Sequence, residues 1–226
     1  MKKKITILFL LFFPNILYAQ TLPSYQGVYN NNSTNTISSS SLIFDGSNDK
    51  VTTNLSMNNS SAFTFEAWVY PKSTGNREGI IGHNDIIEFG FIDSNTIHLW
   101  TARGSSINWD FNSSTLPFNT WHHIVAVGDG VATSDNLKIY INGELKKKGG
   151  SAPSGDTYGT ADSYTLNIGA GAYDPFSITH YYDGNLDEIR VWNSARSIDE
   201  IKANMFKQLN GDESNLQAYY KMSTAE

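Results

Sequence analysis

Four side chains with the chemistry of a sugar-binding surface lie on two neighbouring predicted strands: Trp100, Trp109, His98 and Asn108. Flat aromatic rings stack against the apolar faces of sugars, while amide and imidazole groups hydrogen-bond the hydroxyls. Packing in a core is the alternative for both tryptophans, and the sequence leaves the two interpretations open. We predict a ligand-binding surface at these four positions.

A second set of candidate ligand-binding residues lies on another predicted strand, where Glu66, Trp68 and Tyr70 occupy alternate positions. Side chains two residues apart in a strand share one face, so this face is polar and aromatic, whereas the intervening positions are apolar. We include Glu66 and Tyr70 among the ligand-binding residues. For Trp68 we favour packing, because Glu66-Ala67-Trp68 resembles a framework signature of a known family.

The acidic residues lack the arrangement that glycoside hydrolysis needs, which is two carboxyl groups facing each other across one cleft at about 5–10 Å. Glu88 and Asp93 are five positions apart, so in a regular strand their side chains point to opposite faces. Asp187 and Glu188 are adjacent and also point apart. We therefore predict no catalytic residues.

Calcium binding is predicted at the segment Asp45-Gly46-Ser47-Asn48-Asp49, which combines acidic side chains with a glycine turn. Calcium takes oxygen ligands from carboxylates and backbone carbonyls, and such turns supply both. The alternative is that Asp45 only ends a strand and begins a turn, which is a common role for aspartate. The sequence does not decide between these two interpretations.

The composition is typical of a strand-rich extracellular domain. Of 226 residues, 39% are hydrophobic and 17% charged, none is cysteine, and 66 are asparagine, serine or threonine. The charged share is below the roughly 25% that is usual for soluble domains. The net charge of −6 disfavours nucleic acid and anionic membranes as partners. A chain of this length can form one all-β domain.

The first 40 residues differ from the rest of the chain. Residues 1–19 begin with three lysines, continue through an apolar run and end at Ala19, as secretory signal peptides do. The apolar run is shorter than the ~20 residues of a membrane span. Residues 20–40 are rich in asparagine, serine and threonine and predict a spacer. We therefore expect a secreted protein without membrane insertion, with a single domain over residues 41–226.

Many short strands separated by glycine, aspartate and asparagine turns are predicted. They cover residues 41–45, 62–70, 79–82, 86–92, 96–101, 107–111, 120–127, 137–141, 144–148, 164–169, 181–192 and 216–222. Asn142-Gly143 predicts a tight hairpin turn. A single helix is predicted from Ile198 to Lys207, because Ser197 and Glu200 have the spacing of a capping box.

Five segments, in this order, resemble those of a known family: Leu42–Asp49, Phe63–Val69, Trp121–Val127, Leu137–Gly143 and Asp183–Trp192. Together they are similar to the laminin-G-like members of the concanavalin A-like lectin/glucanase superfamily, as found in secreted bacterial proteins. The resemblance covers residues 41 to 222. It implies an all-β fold in which two antiparallel sheets pack as a jelly-roll sandwich, with one short helix near the C-terminal end.

The resemblance also bears on function. Glucanases of this superfamily have a strand with a Glu-x-Asp-x-(x)-Glu pattern, which is absent from this sequence. In those enzymes an aspartate at the start of the last strand holds a structural calcium ion, and Asp187 matches it. The resemblance thus implies a calcium site at Asp187, to which Asp45 or the carbonyl of Gly46 would contribute if the two strands are neighbours.

The sequence therefore predicts a secreted, non-catalytic module that binds a glycan or a cell-surface protein. Two alternatives remain, because this fold serves many functions. One is a polysaccharide hydrolase or lyase, and the other is a structural adhesion or spacer domain without a discrete ligand.

Overall fold

The computed structural model of the chain describes residues 41–103, 105–131, 134–159, 163–170 and 180–221. The predicted signal peptide and spacer, residues 1–40, lie outside the described residues.

Strands dominate the described part of the chain. In chain order they are β1 (Leu42–Asp45), β2 (Val51–Thr52), β3 (Ala62–Pro71), β4 (Glu78–His83), β5 (Ile87–Asp93), β6 (Thr96–Thr101), β7 (Ser106–Asp110), β8 (His122–Asp129), β9 (Leu137–Ile141), β10 (Glu144–Gly149), β11 (Asn167–Ile168), β12 (Asp183–Trp192) and β13 (Leu216–Tyr220). The α-helix α1 spans Ile198–Asn204, and a short 3-10 turn spans Ser154–Asp156.

The strands form two antiparallel sheets. One has seven strands in the order β1-β12-β3-β8-β9-β10, with β13 also paired to β12. The other has six strands in the order β2-β11-β4-β5-β6-β7. The sheets face each other as a sandwich with one helix outside it. The predicted all-β, two-sheet jelly roll of the concanavalin A-like type is confirmed.

The hydrophobic core lies between the two sheets and follows from the alternation of side chains along each strand. From β3 and β5 it receives Phe63, Phe65, Ala67, Val69, Ile87, Phe89 and Phe91. Each of these side chains is buried almost completely. The intervening residues of the same strands consequently point to the outside of the sandwich.

The turn between β9 and β10 confirms the predicted hairpin. Asn142 and Gly143 both have positive φ angles, 52° and 74°. Asparagine and glycine tolerate this left-handed conformation, which a two-residue hairpin turn needs in order to match the twist of its strands.

β11 is much shorter than predicted. The predicted strand 164–169 is regular only at Asn167–Ile168, which lies between β4 and β2. β2, at Val51–Thr52, is too short to give a periodic signal. The segments next to β2 and β11 are also joined, because the backbone N–H and the side chain of Thr53 both donate to the carbonyl of Leu166.

The helix begins as predicted but ends earlier. Ser197 accepts a hydrogen bond from the Glu200 backbone, and the Glu200 carboxylate accepts one from the Ser197 backbone, as in a capping box. The last helical residue is Asn204 and not Lys207. Arg190 donates to the carbonyls of Asn204 and Lys207, at 3.0 and 2.6 Å, so this buried guanidinium replaces further helical hydrogen bonds.

The outer face of the seven-stranded sheet is covered. Seven of its side chains are at most 5% exposed: Thr64, Glu66, Trp68, Val125, Asp187, Arg190 and Trp192. Ile201 of α1 packs with Val125, and Met205 after the helix packs with Trp68. We call this surface the covered face. No helix in the described segments has the length and apolar character of a membrane span.

Candidate functional site

The outer face of the six-stranded sheet carries the candidate site, and we call this surface the open face. Directly paired residues of antiparallel strands point to the same side of a sheet. One cross-strand row on β4 to β7 consists of Gly82, Glu88, Trp100 and Ser106. The next row consists of Gly79, Gly90, His98 and Asn108. The non-glycine side chains of both rows are half-buried or exposed.

A shallow depression lies on the open face where three glycines meet. Gly79, Gly82 and Gly90 form part of its lining, together with Arg77, Glu88 and His98. Because glycine has no side chain, a ligand can approach the backbone of the sheet here. At Gly90 a Cβ atom would lie 2.2 Å from the carbonyl oxygen of Glu78, so the irregular pairing of β4 with β5 requires glycine.

His98 and Asn108 form a polar pair beside the depression. Nδ1 of His98 lies 2.5 Å from Oδ1 of Asn108, a hydrogen-bond contact across β6 and β7. Since an amide oxygen only accepts, Nδ1 of His98 is the donor, and in the neutral ring Nε2 is then an acceptor. The pair therefore offers both an acceptor nitrogen and amide N–H donors, which suits recognition of hydroxyl groups.

Glu88 supplies a carboxylate to the depression. Burial raises the pKa of Glu88, and the charge of nearby Asp85 acts in the same direction. A hydrogen bond from the Asp85 backbone N–H to Oε1 at 3.3 Å and the charge of Arg77 oppose the rise. From the sequence, Glu88 was a candidate only for a catalytic carboxylate pair with Asp93, although its parity with Gly90 would have placed it beside the glycines.

The open face brings together Trp100, His98 and Asn108, but it does not include Trp109. Trp109 pairs with Ile97, a core residue, and packs against the core with its ring centroid 6.0 Å from that of Phe111. Trp109 therefore lies apart from the open face, since its side chain points into the sandwich. Its even spacing from Ile107 and Phe111 already indicated this.

Glu66 lies on the covered face and is fully buried. Its carboxylate lies 3.3 Å from Nε2 of His123, 3.4 Å from Nε of Arg196 and 3.7 Å from Nη1 of Arg190. Burial alone would raise the pKa of Glu66, but His123 and the two guanidiniums outweigh it and hold this pKa below its ordinary value. An external ligand cannot reach Glu66, so its prediction as a ligand-binding residue is wrong.

Tyr70 also lies away from the open face. It is half-buried beside Trp121, with ring centroids 5.5 Å apart, in the aromatic cluster around Met205. Glu66 and Tyr70 therefore do not join Trp100, His98 and Asn108 in one site. The alternation of β3 was predicted correctly, but the segment that covers this face could not be placed from the sequence.

The residues predicted to hold calcium do not fit a shared ion. Asp45 pairs with Asp183, four residues before Asp187 on β12, which corresponds to about 13 Å along the strand. Asp187 is fully buried, and its Oδ1 accepts from the backbone of Glu188. Among the described residues, no group of three or more histidine, cysteine, aspartate or glutamate side chains is arranged to hold a metal ion.

Asp45 instead closes its own turn. Its Oδ1 accepts a hydrogen bond from the backbone N–H of Ser47 at 2.8 Å, and Gly46 follows with a φ angle of 74°. This geometry agrees with the alternative stated above, in which the aspartate ends a strand and begins a turn. The register of β1 and β12 therefore separates Asp45 from Asp187, and calcium binding at Asp45, Gly46 or Asp187 stays a prediction.

Glu78, at the start of β4, gives a prediction about stability. Burial, followed by the charge of Asp183, raises the pKa of Glu78 to about 7 from 4.5. Between these pH values the unfolded chain ionises while the folded chain holds the proton, so this group destabilises the fold as the pH rises. Glu78→Gln should raise the free energy of unfolding by roughly 1–2 kcal/mol at pH 8, after allowance for partial exposure, and have little effect at pH 4.

Denaturant unfolding of the parent and Glu78→Gln at the two pH values checks this prediction. A variant that is no more stable than the parent at pH 8, or equally stabilised at pH 4, would contradict it.

Comparison with solved structures supports the fold. The chain is 21% identical to a "putative carbohydrate binding protein" from Bacteroides ovatus, with a TM-score of 0.65, covering 79% of this chain and 50% of that one. It thus spans half the length of that protein. The CBM40 of a Ruminococcus gnavus IT-sialidase, bound to α2,3 sialyllactose, is 8% identical with a TM-score of 0.56, covering 72% of this chain and 95% of that one.

A SAP-like pentraxin from Limulus polyphemus is also similar, at 13% identity and a TM-score of 0.51, covering 70% of this chain and 78% of that one. A comparison with curated protein sequences gave no match. The Laminin_G_3 family model, described as concanavalin A-like lectin/glucanases superfamily, matches residues 45–202. Because this match extends over more than half of the sequence, the chain belongs to the Laminin_G_3 family of the concanavalin A-like lectin/glucanases superfamily.

Proposed function

We propose that this protein is a non-catalytic carbohydrate-binding module whose site is the open face. The observation that carries the proposal is the contrast between the two outer faces of the sandwich. The covered face is buried beneath α1 and its flanking segments. The open face presents Trp100 and the His98–Asn108 pair beside a glycine-lined depression.

These groups provide the two kinds of contact that sugar recognition requires. The ring of Trp100 is half-buried on the open face and offers an apolar surface for stacking against a sugar. His98 and Asn108 offer hydrogen-bond donors and an acceptor for hydroxyl groups. Gly82 and Gly90 leave room for the sugar to approach the sheet.

The relatives support this proposal by their described roles. The Bacteroides ovatus protein is described as carbohydrate-binding, and the Ruminococcus gnavus module is described in complex with a sialylated sugar. We extend to this chain only the general role of glycan binding, because the sequence identities are low. A glycan carried by a cell-surface protein is a partner that such a module would recognise.

We further propose that the protein is secreted and acts outside the cell. Support comes from residues 1–19, whose composition is that of a signal peptide. The acidic net charge of −6 argues against nucleic acid as a partner.

An NMR titration tests the position of the site. The amide resonances of Gly79, Gly82 and Gly90 should change their chemical shifts when a soluble oligosaccharide ligand is added to the ¹⁵N-labelled protein. The amide resonances of Ile201 and Met205 should not change. The glycines report on the open face, and α1 with Met205 serves as an internal control on the covered face. The ligand would be chosen after retention of the protein on a panel of insoluble polysaccharides. Retention by none of them, or shifts confined to α1, would contradict the proposal.

A further inference from the structure

The carboxylate of Glu88 lies beside the position that a sugar bound to the open face would occupy. Glu88 pairs directly with Trp100 on β6 and with Gly82 on β4, so its side chain stands between the aromatic ring and the glycine-lined floor. Directly paired side chains have Cβ atoms about 4.5–5.5 Å apart. A sugar ring stacked on Trp100 therefore lies within contact distance of Glu88.

The charged groups around Glu88 do not neutralise its negative charge, so they do not make the site attractive to an anion. Asp85 lies in the turn before β5 and donates its backbone N–H to Oε1 of Glu88. Among the described residues, the charge of Asp85 raises the pKa of Glu88 and the charge of Arg77 lowers it, so two carboxylates stand beside one guanidinium. The surroundings of Trp100 are therefore net acidic, and part of this charge is removed from water.

An anionic sugar would meet this acidic group directly. A carboxylate or sulfate on a ring stacked against Trp100 would lie a few ångströms from the Glu88 carboxylate. Like charges at such distances repel more strongly at a partly buried site than in bulk water. A juxtaposition of this kind is a common means of rejecting a wrong partner.

We infer that the open face selects glycans without anionic groups and discriminates against uronic acids, sialic acids and sulfated sugars, with Glu88 as the determinant of this selectivity. The inference rests on the proposed function, because it assigns a ligand class to the same site. We expect the neutral member of a matched pair of glycans to bind about tenfold more tightly than the anionic member.

The test uses pairs of probes that share a backbone and differ in charge. Suitable pairs are fully methyl-esterified and de-esterified polygalacturonan, and hydroxyethyl and carboxymethyl cellulose. Binding of the full protein is measured at pH 8 for the parent, Glu88→Gln and Glu144→Gln. The Glu144 side chain is largely exposed on β10, so its variant removes the same charge away from the open face.

The parent and Glu144→Gln should favour the neutral probes about tenfold, and Glu88→Gln should reduce this preference to about threefold or less by strengthening binding of the anionic probes. Equal binding of both members by the parent would overturn the selectivity while leaving glycan binding intact. An unchanged preference in Glu88→Gln would overturn the role of Glu88. Binding of no member of any pair would count against the proposed function itself.

Discussion

Glu66→Gln should lower the free energy of unfolding by about 3–5 kcal/mol, the largest effect we expect from a change of side-chain charge in this protein. The variant keeps the size of the side chain but removes its charge. Arg190 and Arg196, both at most 9% exposed, would then lose the carboxylate that they share. Leaving a buried charge without its counterion is far more costly than replacing a whole ion pair by apolar groups.

Arg190 makes this network important for more than one element. Besides approaching Glu66, its guanidinium binds Glu188 at 2.9 Å and the carbonyls of Asn204 and Lys207. Glu188 in turn accepts a hydrogen bond from the hydroxyl of Tyr219 on β13 at 2.6 Å. The charges beneath α1 therefore join β3, β12, β13 and the segment after the helix, and the loss of one of them weakens the attachment of all four.

The effect of Glu66→Gln should depend on pH in a defined direction. The pKa of Glu66 is lowered in the folded protein, so its carboxylate stabilises the fold above the ordinary value of 4.5, and this contribution is lost as the pH falls through the lowered pKa. Burial lowers the pKa of His123, the neighbour of Glu66, so this imidazole is neutral at pH 7 and the guanidiniums supply the positive charge. The parent and the variant should therefore differ most near neutral pH and converge in acid.

Urea unfolding at pH 7 and at acidic pH measures both effects. Glu144→Gln is the matched control, because it removes a carboxylate from an exposed pair with Lys146 and should change the stability little. If Glu66→Gln were as stable as Glu144→Gln at pH 7, the buried network would not have the role assigned to it.

The sequence predicted the sheets because one local rule, the alternation of apolar side chains, determines which residues form each strand and which enter the core. It could not predict what covers the outside of each sheet. Glu66 and Glu88 both lie on the outward-facing side of a strand. Glu66 is buried beneath α1, whereas Glu88 lines a depression. This difference depends on where residues 197–209 pack after β12, a long-range contact that leaves no periodic signal in β3 or β5.

The distance between Asp45 and Asp187 could not be predicted for a related reason. The resemblance left open whether β1 and β12 are neighbours, and in the structure they pair. Their register, however, places Asp45 opposite Asp183, and no local pattern in either strand specifies this offset. The site residues on the open face were predicted in part. His98 and Trp100 are two positions apart on one strand, and Asn108 pairs with His98 on the next, so all three point to the same side. Trp109 is adjacent to Asn108 and therefore points to the core.

The two tryptophans that the sequence treated alike should therefore behave in opposite ways. Trp100→Ala should weaken glycan binding about 10- to 30-fold, because an aromatic platform at the centre of a binding surface contributes a large share of the affinity. It should leave the stability nearly unchanged, since the ring lies on the outside of the sheet. Trp109→Ala should instead lower the free energy of unfolding by about 2–3 kcal/mol, because it removes a half-buried ring that packs against the core and Phe111.

Each variant serves as the control for the other. Binding is measured by retention on the polysaccharide that the parent binds, at a temperature where both variants are folded, and stability is measured by urea unfolding. Trp109→Ala should still bind, because the open face retains Trp100, His98 and Asn108. If Trp100→Ala bound as tightly as the parent while Trp109→Ala lost binding without loss of stability, the site would lie elsewhere and the assignment of the open face would be wrong.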